Sequence, residues 1–231
     1  MLPKKSKKVS RLSLFRIKNR RTTIKNKFYS KAQCFKVDFT GNKFLNVNLK
    51  GAILTSCNFK SAMFVNVDFL GTNLKKTNMK NARFEKCIFS GALLNKTNFQ
   101  GATFKDCFFI NTNFERAKNF FADEEKNIFL KHQDLIFDAE LVSALDNFRY
   151  DEKIHNSRII HQRGGKINTV TVSILLRTYG MSSLIKALQG MVGNLPSRVI
   201  TIESFKGMID KELLKLYDAI VPPHSIERLS S

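Results

Sequence analysis

Lys76, Lys96 and Arg116 recur at intervals of twenty residues, with Lys60, Lys75, Lys80 and Lys118 close by in the sequence. Cations repeated at a fixed interval suit one chemistry, neutralisation of a polyanion, provided the fold brings them onto one edge. Arg16, Arg20 and Arg21 belong to a run, Met1 to Lys31, that holds twelve basic residues and no acid. Other reactive types offer less. His132, His155, His161 and His224 stand without the Cys, Ser or acid pattern of a catalytic site. Arg163-Gly164-Gly165-Lys166 lacks the spacing and the Lys-Ser/Thr ending that cradle a phosphate. Asp123-Glu124-Glu125 reads as the acidic opening of a helix, since a metal site needs more convergent oxygen ligands. These absences predict no enzyme, no cofactor, no metal and no small-molecule substrate.

The element that must position the cations is written in a five-residue beat. Every fifth residue from Phe39 to Phe114 is Phe, Leu or Met, and two residues before each stands a second, mostly small series that includes Ala52, Val67, Thr97 and Ala102. Helix and strand both fail this period, because position i+5 leaves the helix face of i and lies on the opposite side of a strand. A chain that turns a corner every five residues satisfies it. Gly41, Gly51, Ser61, Gly71, Asn81, Gly91, Gly101 and Asn111 sit where those bends fall, and they are residue types that suit tight turns. Cys57, Cys87 and Cys107 occupy the small inward series and Cys34 lies in the imperfect first repeat, so they are read as compact core atoms and not as a disulfide framework.

Segments such as Thr72-Asn73-Leu74, Thr97-Asn98-Phe99 and Thr112-Asn113-Phe114 resemble the pentapeptide-repeat family over roughly Ala32 to Ala117. The resemblance implies a right-handed, four-sided parallel β-helix, a β-solenoid with four pentapeptides per coil. Residues twenty apart then stack at the spacing of neighbouring strands, ~4.8 Å. On that geometry Lys76, Lys96 and Arg116 share one corner beneath Ser56. Leu70, Ile88, Phe108 and Ile110 face outward on the side built around Leu49, Phe69, Phe89 and Phe109, and form an expected docking surface for a C-terminal domain or a second copy of the chain. Some members of the family resembled are topoisomerase-protecting DNA mimics with a negative column. Residues 32–121 carry thirteen basic and five acidic residues, so the field here has the opposite sign.

Beyond Phe121 the beat gives way to helical spacing. Ile202, Phe205, Ile209, Leu213, Leu216 and Ile220 predict a helix ended by Pro222 and Pro223; Ser183 to Val192 and Asp138 to Phe148 predict two more. Asn168 to Thr178 is β-branched and suits a strand or a buried helix, with helix favoured by context, and Asn119 to His132 is a weaker helical candidate. The expected organisation is a basic disordered tail over 1–27, a coil over 28–121 and a mainly helical domain over 122–231. With no apolar stretch of membrane-spanning length, a cytoplasmic protein is expected. The expected function is a scaffold that binds a macromolecular protein partner, with homodimerisation open. The alternative is electrostatic, sequence-nonspecific binding of nucleic acid or an anionic membrane through the tail and the cationic edge.

Overall fold

The computed structural model describes residues 22–130, 137–162 and 164–220, and the chain divides into two compact units, 1–133 and 134–231. The first unit is a parallel β-solenoid of about five turns. Its strands are β1 (Thr23–Phe28), β2 (Lys43–Asn48), β3 (Met63–Asp68), β4 (Arg83–Glu85), β5 (Ile88–Ser90), β6 (Thr103–Lys105), β7 (Phe108–Ile110) and β8 (Ile128–Leu130). Every strand pair is parallel with a register of twenty, as in Phe44↔Phe64, Phe64↔Phe84 and Phe84↔Phe104. Positive φ recurs every fifth residue from Asn26 to Asn111, which supplies four corners per coil. All eight bends expected from sequence have positive φ.

Between corners each side turns one large and one small residue inward, and the large ones stack face to face. Phe64 and Phe84 lie 4.9 Å apart at 4°, Phe39 and Phe59 5.0 Å apart at 9°, Phe69 and Phe89 4.7 Å apart at 7°. Neighbouring columns meet edge to face, as Phe64 does Phe69 at 5.4 Å and 65°. Offset stacks and edge contacts are the arrangements the ring quadrupole favours. The interior is filled by side chains.

The coil is longer than expected at both ends. It opens at β1, inside the segment assigned to the tail, because Ile24 is buried while Lys25 and Lys27 point outward. It continues past Phe121 to β8, which pairs with β7 through Phe109↔Phe129. Residues 119–130 are therefore not a helix. Asn119 takes a left-handed φ of 54°, and Phe120 packs on Phe114 at 3.9 Å, so the beat slips by one residue before it resumes. Asp123 does not open a helix either: its carboxylate accepts the Glu125 backbone N–H at 2.9 Å and pairs with Lys126, which makes a turn. Asn127 then accepts the Cys107 N–H at 3.0 Å and donates to the carbonyls of Phe104 and Asp123.

The second unit holds α1 (Ala139–Asp146), α2 (Thr169–Tyr179), α3 (Met181–Met191) and α4 (Ile202–Ile220), close to the expected helices. Asp138 caps α1 by accepting the Glu140 N–H at 2.8 Å. Thr201 and Ser204 cap α4 reciprocally, each hydroxyl accepting the other's backbone N–H. Gly180, at φ 72°, breaks α2 from α3. Helix α3 touches the other three, and Leu145, Phe148, Leu175, Leu184, Leu188 and Phe205 are buried.

Candidate functional site

Two of the predicted cations, Lys76 and Lys96, stand at one corner beneath Ser56. Ser56, Lys76 and Lys96 have φ of 60°, 58° and 60°. Successive coils are tied there by Ser56 N–H to Lys75 O, Lys76 N–H to Asn95 O and Lys96 N–H to Arg116 O, at 2.9, 2.9 and 2.6 Å. In the last of these the acceptor is Arg116 itself and not the residue before it, and Arg116 lacks the left-handed φ of the residues above it, so the corner pattern breaks at this coil while Arg116 stays hydrogen-bonded beneath Lys96. Lys36, with φ 54°, heads the same column one coil above Ser56. The sequence reading left it out, although counting back twenty from Ser56 finds it. A left-handed backbone is costly for a side chain of this kind, roughly 1–2 kcal/mol.

Lys60 and Lys80 form a neighbouring column, joined by Gly41 N–H to Lys60 O and Ser61 N–H to Lys80 O. Lys118 extends the column of Asn58, Asn78 and Asn98. Those amides hold the adjoining backbone: Asn58, Asn73 and Asn78 accept the N–H groups of Lys60, Lys75 and Lys80 at 3.1–3.2 Å. Asn78 also donates to Asn58 at 2.9 Å. Lys36, Lys60, Lys76, Lys96, Arg116 and Lys118 are exposed, and Lys75 and Lys80 half-buried. Among the described residues no ion pair involves any of them. Arg16, Arg20 and Arg21 lie outside the described residues.

Leu70, Ile88, Phe108 and Ile110 share one side of the coil, with Ile88 opposite Phe108 and Ser90 opposite Ile110 in the β5–β7 register. All four are buried, and none belongs to the hydrophobic cluster inside the coil. Earlier coils carry Asn48 and Lys50 at the equivalent positions, so this side changes from polar to apolar along the axis.

The four thiols are buried and unpaired. Cys34 departs from expectation by occupying the column of large residues, above Leu54 and Leu74. Burial is the main reason that the Cys34 thiol is pushed up to about 12 and that of Cys57 to about 11. Burial, with the neighbouring Cys107, also raises Cys87. Thiols held protonated in this way are poor nucleophiles. Among the described residues no cluster of His, Cys, Asp and Glu is suited to a metal ion.

Sequence reasoning missed one polar cluster in the helical unit. Asp146 Oδ1 meets Arg149 Nη2 at 2.6 Å and His161 Nε2 at 2.9 Å, Arg149 Nη1 donates to Gly165 O at 2.7 Å, and His155 Nδ1 lies 2.6 Å from Arg149 O. Burial depresses the His161 pKa despite the Asp146 carboxylate; burial works the other way on Asp146, but its hydrogen bonds to His161 and Arg149 prevail and hold it low. The cluster fastens the end of α1 to the turn around Gly165.

The Pentapeptide repeats family matches this chain in eight copies, over residues 32–69, 52–91 and 89–118, so the middle of the chain is a pentapeptide-repeat coil. No curated protein matches the sequence. Similar solved structures include a pentapeptide repeat protein from the cyanobacterium Cyanothece (19% identity, 37% of this chain and 58% of that one, TM-score 0.36). A second is a pentapeptide repeat protein from the Arabidopsis thaliana thylakoid lumen (20% identity, 54% and 75%, TM-score 0.29). A third is HetL from Nostoc, involved in heterocyst differentiation regulation (15% identity, 50% and 62%, TM-score 0.33). The chain thus spans less than two thirds of the length of the first and third.

Proposed function

We propose that this protein is a non-enzymatic, cytoplasmic scaffold that binds a macromolecular partner through the outer columns of its pentapeptide-repeat coil. One observation carries the reading: a filled interior of stacked rings leaves variation to the outside, and there the columns differ sharply, apolar along one side and cationic at one corner. A rigid column with differentiated sides presents side chains at fixed spacing. Leu70, Ile88, Phe108 and Ile110 serve in this reading as a docking surface, for the helical domain or for a second copy.

Affinity capture from a cell lysate tests it, comparing the intact chain with Phe108→Asn/Ile110→Ser. Both replacements are types that stand in the same columns of other coils, at Asn48 and Ser90. Loss of a captured protein, or of a dimer in sedimentation, supports the docking side; identical capture and sedimentation by both chains count against it.

A second reading, electrostatic binding of nucleic acid or an anionic membrane, is favoured by the cationic corner. Lys36, Lys76 and Lys96 hold left-handed backbone there without an ion pair in return. Retention on DNA, RNA and anionic vesicles that falls with rising salt is the expected result.

A further inference from the structure

Exposed large hydrophobic residues on the coil are few, and those along its sides fall together. Phe35, Ile53 and Leu93 are 63%, 42% and 43% exposed, while Phe121 and Phe129 belong to the last turn. Ile53 and Leu93 stand in one column, bridged through Gln33↔Ile53, Ile53↔Asn73 and Asn73↔Leu93. Phe35 lies in the next column but one of the same side. That side ends at the cationic corner, with Phe35 directly before Lys36, whose ammonium lies 5.1 Å from the phenyl centroid. One side of the coil therefore offers apolar tips bordered along its edge by Lys36, Lys76, Lys96 and Arg116.

We propose that this side and its corner lie on an anionic lipid surface, with Phe35, Ile53 and Leu93 entering the headgroup region and the corner cations meeting lipid phosphates. The proposal rests on the electrostatic reading above and names its partner. Ile53 and Leu93, two coils apart, are separated by about 10 Å, and a hollow lined by Gln33, Cys34, Phe35, Ile53 and Thr55 lies on the same side, so apolar tips and cations stand within reach of one surface. Aliphatic side chains gain from transfer out of water at such an interface, and each nearby cation adds attraction to the anionic leaflet. Against nucleic acid Ile53 and Leu93 offer no ring for stacking and no group for phosphate, and the Phe35 ring needs an unstacked base that a duplex does not present, so a duplex accounts only for the corner. Among the described residues no helix is long and apolar enough to cross a membrane, and this mode of attachment needs none.

Cosedimentation of the full chain with phosphatidylcholine vesicles, the same vesicles containing phosphatidylserine, and separately with duplex DNA tests the idea. Two variants borrow residues that occupy the same columns in other coils: Phe35→Asn/Ile53→Asn/Leu93→Asn, after Asn95 and Asn73, and Lys76→Ser/Lys96→Ser, after Ser56. Circular dichroism checks that both keep the coil. Expected are binding to phosphatidylserine vesicles well above that to phosphatidylcholine, a loss of about tenfold in the apolar variant, and about thirtyfold in the charge variant. The apolar variant should leave any DNA binding unchanged. Vesicle binding that is indifferent to the apolar variant overturns the lipid proposal and leaves the electrostatic reading standing, as does binding to DNA alone. No binding to either polyanion overturns both.

Discussion

The coil and the helical unit solve the same burial problem in opposite ways. In the coil each core residue is packed by its own equivalents twenty positions away, so Phe84 touches Phe64 and Phe104 at nearly parallel angles. In the helical unit the neighbours of a core residue come from unrelated segments, as Phe148 meets Phe205 edge-on at 77°. The first arrangement separates inside from outside, so outer columns vary without touching the core. The second mixes them, and His161 is drawn into the packing, whereas buried polar residues of the coil such as Asn42, Thr97 and Asn127 keep to the small inward columns. Freedom to carry a binding surface therefore belongs to the coil.

The sharpest break of this comparison is Phe84→Ala. The ring sits among Phe64, Phe69, Phe89, Phe99 and Phe104, and its removal is expected to cost about 3–5 kcal/mol. If stability is held rung by rung, faster hydrogen exchange will concentrate in the coils stacked directly on the gap. Leu188→Ala, on the central helix α3, is expected to cost about 2–5 kcal/mol and to loosen all four helices together. Exchange that rises evenly across the coil in the first variant, or stays confined to α3 in the second, contradicts the contrast.

Corners allow a finer test. Gly91 and Gly101 both have positive φ, but a methyl group on Gly91 meets open space whereas one on Gly101 collides with Asn81 Oδ1. Gly91→Ala should cost about 1 kcal/mol from backbone strain, and Gly101→Ala about 1–3 kcal/mol. Chemical denaturation of the two proteins measures the gap; equal losses would mean that Asn81 yields freely.

Acid and base should act on different regions. The folded pKa of His161 lies below its ordinary 6.5, chiefly through burial, so the unfolded chain takes the proton first. Its contribution is complete above that value and is lost as pH falls beneath it; Asp146, held below its ordinary 3.8, adds a second loss further down. In the coil the raised thiols of Cys34 and Cys57 reverse the sense, since the unfolded chain releases those protons from about pH 9 upward and folding weakens as pH rises toward 11–12. Hydrogen exchange resolved by segment, between pH 5 and 10, reads both slopes. A flat response of the helical segments below pH 6.5 would refute the first.

Legibility follows the same division. Because the coil's contacts repeat at a fixed sequence separation, columns, corners and the stacking of Lys76 on Lys96 all follow from counting. Counting failed where the beat is disguised: Ile24 is followed by Lys25 and Lys27, Cys34 is a small residue in a large column, and the slip at Asn119 hides Phe129. Helices α1, α3 and α4 were legible from apolar spacing, and α2 only from its context. The Asp146–Arg149–His161 cluster was not, because its partners lie 3 and 15 residues apart with no recurring pattern to link them. Ile53 and Leu93 are legible as departures at the Asn position, but Phe35 lies two columns away, and the three come together as one side only once the columns are assembled.

The smallest effect sharpens what the repeated core demands of chemistry. Cys87 stacks with Cys107 in a column whose earlier members are Val47 and Val67, and its Sγ lies 3.5 Å from Phe64 O and 3.4 Å from Glu85 O. Donors of this kind are weak, and a free Cys of this burial behaves as a compact hydrophobe. Cys87→Val places in the column the residue that already fills it one coil earlier, so the expected change in stability is under about 1 kcal/mol, within the range of volume-conserving swaps. In the intact chain all four thiols should resist alkylation until denaturant is added, since each is buried and the thiolate is disfavoured where burial raises its pKa. Rapid modification of Cys87 in the native protein, or a loss of partner or vesicle binding in Cys87→Val, would mean that the column does more than fill space, and that the coil does not keep its chemistry on the outside.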